Sequence, residues 1–114
     1  MSTRTTTIAP INYIEIVEEY GERVPYLAGT RLTVAEIGNM HVNQDSDVAW
    51  IVENFDVTGM TAAKVYAAIS YYLDHQAELD DYLRRQSEAA RAQATRSLTE
   101  EIARLKAKHN KPSV

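Results

Sequence analysis

Cysteine is absent from the chain, so no disulfide staples it and no thiolate can hold zinc or attack a substrate. His41, His75 and His109 stand too far apart for a short metal-ligand spacing. No apolar run approaches the roughly 20 residues that span a bilayer, and the Thr-rich start, Met1 to Thr7, lacks the apolar stretch of a secretory leader. These absences lead us to expect a cytoplasmic protein without metal or cofactor. No glycine-rich loop cradles a phosphate. Glu15, Glu18, Glu19 and Glu22 lie in or near an exposed extended segment, with no His, Ser or Lys spaced to complete an acid–base or nucleophilic site. An enzyme is therefore the least favoured class.

What remains is an ordinary globular composition, 45% apolar and 25% charged over 114 residues, enough for one core plus a tail. The net charge of −4 hides an asymmetry. Residues 1–60 set three arginines against nine carboxylates, whereas from Tyr82 onward eight basic residues face three acidic ones. A cationic tail on an anionic body suits an acidic partner, either nucleic acid or an acidic protein surface, or else it is a solvated helix face.

The local signals are dense between Gly21 and Ile37. Tyr13 to Val17 alternates in the β manner, and Val24 to Leu27 is a second short strand beyond the Gly21 turn, giving a two-stranded arm. Thr33 with Glu36 forms a capping box, and Leu32 with Ile37 a hydrophobic staple, so a helix starts at Val34. Val34, Ile37 and His41 share its face. After the polar connector Asn43 to Asp47, the residues Val48, Ile51, Val52 and Phe55 follow at i, i+3, i+4, i+7. Trp50 falls off that stripe and is read as covering another core edge, with an interface as the alternative. Asp56 to Met60 breaks the helix, and Thr61 caps a third one, whose stripe is Val65, Ala68, Ile69 and Tyr72, widened by Leu73. Tyr66 and Tyr71 lie off its centre. Three short helices with short connectors resemble the tri-helical core of helix-turn-helix domains.

From Gln76 to Lys108 nothing breaks helix, and Leu79, Leu83, Ala90, Ala94, Leu98, Ile102 and Leu105 recur at roughly helical spacing. Ser97 to Glu100 has capping-box form, so the tail is read as one helix or as two hinged near Arg96. The chain thus divides into a flexible N-terminus at 1–12, a β arm with a tri-helical core at 13–75, and a basic amphipathic helical tail at 76–110. The tail is expected to fold or dock fully only against a partner.

Two segments resemble the bacterial domain-of-unknown-function 433 family, over about Tyr13 to Tyr82. Val24 to Val34 is similar to its Pro-x-x-x-Gly-Thr-Arg-x-x-Val signature, and Val65 to His75 to its Ala-Leu-x-Tyr-Tyr-x-x-His helix. The resemblance implies a mainly α fold with a winged or homeodomain-like tri-helical core. It also implies a homodimer and an antitoxin-like role beside a PIN-like nuclease toxin, and it transfers no catalytic residue.

Two interaction sets follow. For DNA, Arg31, Thr61, Ala62 and Lys64 are the candidates, since a recognition helix presents such residues near its N-terminus. The anionic body opposes that approach, and the core is equally read as only a folding and dimerisation unit. Arg31 has a structural reading too, as a bend organiser pairing with Glu36 or backbone carbonyls. For a protein partner, Arg84, Arg85, Arg91, Arg96 and Arg104 would face an acidic metal cluster, with Leu79, Leu83, Leu98, Ile102 and Leu105 as apolar anchor. A non-DNA-binding oligomerisation or adaptor module is the alternative.

Overall fold

The computed structural model describes residues 4–55 and 59–109. Their element order is β1 (Ile14–Glu19), β2 (Glu22–Leu27), α1 (Val34–Val42), α2 (Val48–Asn54), α3 (Ala62–Asp74) and α4 (Gln76–His109). The chain is mainly helical with a small two-stranded N-terminal sheet. Part of the expected helix breaker, Asp56 to Thr58, lies outside the described residues, as do Met1 to Thr3 and Asn110, the last residue of the expected tail.

β1 and β2 pair antiparallel from Glu19↔Glu22 to Ile14↔Leu27. Tyr20 and Gly21 both take positive φ, 49° and 79°, which suits a two-residue turn twisted like its strands. Counting outward from the turn, Pro25 opposes Ile16 at a position whose nitrogen faces away from β1. Its missing N–H therefore costs the ladder nothing.

Along the hairpin, the Tyr26 hydroxyl donates to both Glu19 carboxylate oxygens, at 2.8 and 2.9 Å. That bond first, and burial second, push the phenol from its ordinary 10.0 up to about 12. A folded-state value above the unfolded one means the stabilisation is full below about pH 10 and is lost as pH climbs through about 12. Alkaline titration followed by tyrosinate absorbance is expected to lose one of its latest steps in Tyr26→Phe. A lost step lying at the ordinary pH of about 10 instead would refute this pairing.

The Gly-Thr-Arg bend is organised by its threonine. Thr30 Oγ1 donates to the Leu27 carbonyl at 2.8 Å and accepts from Leu32 N–H at 3.1 Å. Arg31 is exposed and makes no ion pair among the described residues. Its expected pairing with Glu36 is corrected, because that carboxylate reaches back to Thr33 N–H at 3.4 Å while Thr33 Oγ1 accepts from Glu36 N–H at 3.1 Å. The capping box has claimed it.

The core is built from Leu27, Val34, Ile37, Ile51, Val65 and Tyr72, all fully buried, with Ala68, Ile69 and Leu79 beside them. The predicted stripes of α1, α2 and α3 thus converge on one centre. Leu32 packs against the same cluster. Two expectations on this core are corrected. Trp50 is 48% exposed and stands edge-to-face with Phe55, at 6.5 Å between ring centroids. In a seven-residue helix whose inner side holds Val48 and Ile51, position 50 points outward. Leu73, one step past the buried Tyr72, is likewise exposed.

Candidate partner-binding helix

α4 starts inside the body. His75 alone separates it from α3, capping that helix with its N–H shared between the Tyr71 and Tyr72 carbonyls. Leu79 is 6% exposed, and Tyr82 and Leu83 pack against the core. The buried Tyr72 hydroxyl donates to the Asp80 carboxylate and accepts from Asn43 Nδ2 at 3.1 Å, so one side chain ties α1 and α3 to α4. Burial first, then the bond to Asp80, raise that phenol's pKa above the ordinary value. Arg85 spans to Glu22 on β2 and also holds Asp81 at 3.0 Å. Hydrogen bonds from Arg84 and Arg85 hold the Asp81 carboxyl below its usual range.

Past Leu83 the helix leaves the body. Every residue from Arg84 to His109 is exposed. The 34 residues of α4 amount to about 51 Å of helix. The radius of gyration is 21.8 Å, against the ~13 Å of a compact chain of this size. No Gly or Pro interrupts the segment, and Lys106, Lys108 and His109 in the last turn complement the helix dipole. The hinge weighed near Arg96 is absent. Ser97, the expected cap, lies inside the continuous helix, where Thr99 Oγ1 also bonds back to the Thr95 carbonyl at 2.9 Å.

The partner-facing set separates into four groups. Leu79 is withdrawn from it by burial, a correction, and Leu83 is half-buried. Arg84 pairs with Asp81 and Glu88, Arg85 with Asp81 and Glu22, and Arg104 with Glu101. These exposed pairs are individually weak and exchange readily for a better partner. Arg91 and Arg96 make no ion pair among the described residues and flank a shallow groove with Glu88 and Thr95. Leu98, Ile102 and Leu105 are 61%, 44% and 47% exposed. At about 100° per residue, Arg91 falls on the side of this stripe whereas Arg96 points about 160° away from Leu98. The arginines ring the helix and do not form one face.

The DNA-facing set is dispersed. Thr61 is the N-cap of α3, and its hydroxyl accepts from Lys64 N–H at 3.2 Å. Ala62 is exposed on the first turn and Lys64 is half-buried. Arg31 borders a different hollow, with Val17, Glu19, Tyr26 and Thr30, in which none of the α3 residues takes part.

The sequence reading missed a cleft of about 230 Å³ where β2, the end of α3 and the start of α4 meet, bordered by Arg23, His75, Glu78, Tyr82 and Arg85. The ring of Tyr71 stacks on His75 at 4.1 Å. The pair's spacing of four residues on a helix was a usable signal. That β2 would close over it was not, since it depends on tertiary packing.

No family model matches this chain, and neither curated proteins nor solved structures yield a match. No helix among the described residues is long and apolar enough to cross a membrane.

Proposed function

We propose that this chain is an antitoxin-like binding protein that captures an acidic protein partner, a PIN-like nuclease, through α4. One observation carries the reading: a helix anchored at Leu79 leaves the body at Arg84 and presents an apolar stripe ringed by arginines. Such a helix suits a groove in which apolar walls receive Leu98, Ile102 and Leu105 while carboxylates meet guanidinium groups on both sides. Arg91 and Arg96, without acidic partners among the described residues, engage at least electrostatic cost. The resemblance to the domain-of-unknown-function 433 family supplies the class of partner.

In this reading the body is a helix-turn-helix unit that holds the arm. Its surface favours protein over DNA as the principal ligand, because the Thr61 hydroxyl is occupied by its cap and the first 60 residues are strongly acidic. Retention of the upstream promoter fragment is expected to be weak and to disappear as salt is raised.

The test is inhibition of the nuclease encoded beside this chain. Truncation after Gln86 keeps the body contacts, including Arg85 to Glu22, and is expected to abolish inhibition. In the full chain, Arg91→Ala with Arg96→Ala is expected to weaken binding by about tenfold to a hundredfold. Inhibition that survives truncation would remove α4 from the mechanism.

A further inference from the structure

The exposed stripe of α4 has a pattern more specific than amphipathicity. Leu98, Ile102 and Leu105 are spaced by four and then three residues, the d, a, d order of a heptad repeat. A β-branched residue at a with leucine at d is the combination that favours a parallel two-stranded coiled coil. The flanks agree with that choice. Glu101 precedes the a residue and takes position g, and Lys106 follows the second d residue and takes position e. In a parallel pair, position g of one helix faces position e of the other five residues on, so Glu101 meets Lys106 of the second copy, twice by symmetry. Among the described residues Glu101 pairs only with Arg104 of its own helix, through one carboxylate oxygen. Lys106 makes no ion pair among the described residues.

We infer that the distal half of α4 pairs in parallel with the same segment of a second copy of this chain, with Leu98, Ile102 and Leu105 forming the seam. Polar Thr95, at the preceding a position, and Arg91, at the d position before it, end the apolar seam toward the body, which confines the contact to about residues 94–109 and makes the dimer concentration-dependent. Both bodies then sit at the same end of the pair, and Arg96 faces outward on each helix. This inference does not rest on the proposed nuclease partner. Self-pairing and partner capture use the same stripe and compete, and the test needs only the purified chain.

Sedimentation of the full chain over a range of concentrations is expected to show a monomer–dimer equilibrium that Ile102→Lys abolishes. Glu101→Lys is expected to weaken the dimer, and adding Lys106→Glu to restore it. Since the chain has no cysteine, a single introduced thiol reports orientation. Leu98→Cys is expected to cross-link under mild oxidation at least about tenfold faster than Arg96→Cys, because only a parallel, in-register seam holds two copies of residue 98 within disulfide reach. A chain monomeric at every concentration, a dimer that persists in Ile102→Lys, or equal cross-linking at the two positions would overturn the inference.

Discussion

Gly38→Ala is expected to destabilise the chain by about 3 kcal/mol or more, although the same change in an exposed helix interior gains about 1 kcal/mol from propensity alone. The sign reverses because of Tyr72. A Cβ built on Gly38 would overlap the Cβ and ring carbons of that side chain, far inside van der Waals contact. Tyr72 is fully buried, and its hydroxyl is held between Asn43 and Asp80, so the ring has nowhere to go. The alternative is to part α1 from α3, which opens the core around Ile37 and Val65. Urea unfolding gives the check, as a fall in the midpoint. Since close neighbours are not additive, Gly38→Ala combined with Tyr72→Leu is expected to cost less than the sum of the two single changes. A midpoint at or above that of the parent chain would show that the helices tolerate separation and that the contact is not structural.

Gly38 also marks where the sequence was legible and where it was not. Composition and helix propensity describe it as a weak point of α1, because both are properties of the segment alone. Its use, admitting a tyrosine from 34 residues further on, is a property of the packed pair. The same division recurs elsewhere. The capping box at Thr33 and Glu36, the turn at Gly21, and the stripe of Val65, Ala68, Ile69 and Tyr72 are encoded within a few residues, and the structure contains them where expected, although the strands run closer to the turn, to Glu19 and from Glu22. From sequence, Arg31 reads as a bend organiser with Glu36 or backbone carbonyls as its partners, which treats Glu36 as free to pair. Once the box takes that carboxylate, Thr30 does the organising.

The boundary between body and arm was the least legible feature, for an electrostatic reason as well as a packing one. Charge counting separates a basic segment from Tyr82 onward, yet its first arginine pairs lie within the body's own acidic field: Arg85 is bound to Glu22, and Arg84 to Asp81. Leu79, Tyr82 and Leu83 look from sequence like the start of the tail's apolar stripe, but they complete the core left open by the three short helices. The stripe of α4 therefore has two owners. Its first turns belong to this chain's own interior, and its last turns, at Leu98, Ile102 and Leu105, remain uncovered.

Amide hydrogen exchange in the dilute chain is expected to divide α4 at about Arg84, with protection falling on the order of 10³-fold or more between Leu79 and Ala94. Near Leu79 an amide exchanges only when the body opens, because Leu79 is locked in the core and Asp80 is tied to Tyr72. Beyond Arg84 no described side chain is buried, so helix there is supported by propensity, by the i,i+3 and i,i+4 pairs Arg84–Glu88 and Arg104–Glu101, and by the terminal basic residues. Each such pair contributes only about 0.3–0.5 kcal/mol, too little to make an unpacked helix more than marginal in water. Protection should rise from Ala94 to His109 when a partner or a second copy covers the stripe, while the values near Leu79 stay unchanged. Uniform protection along all of α4 in the dilute chain would mean that the distal helix is stabilised without any cover, and would take away the physical reason for expecting it to bind anything.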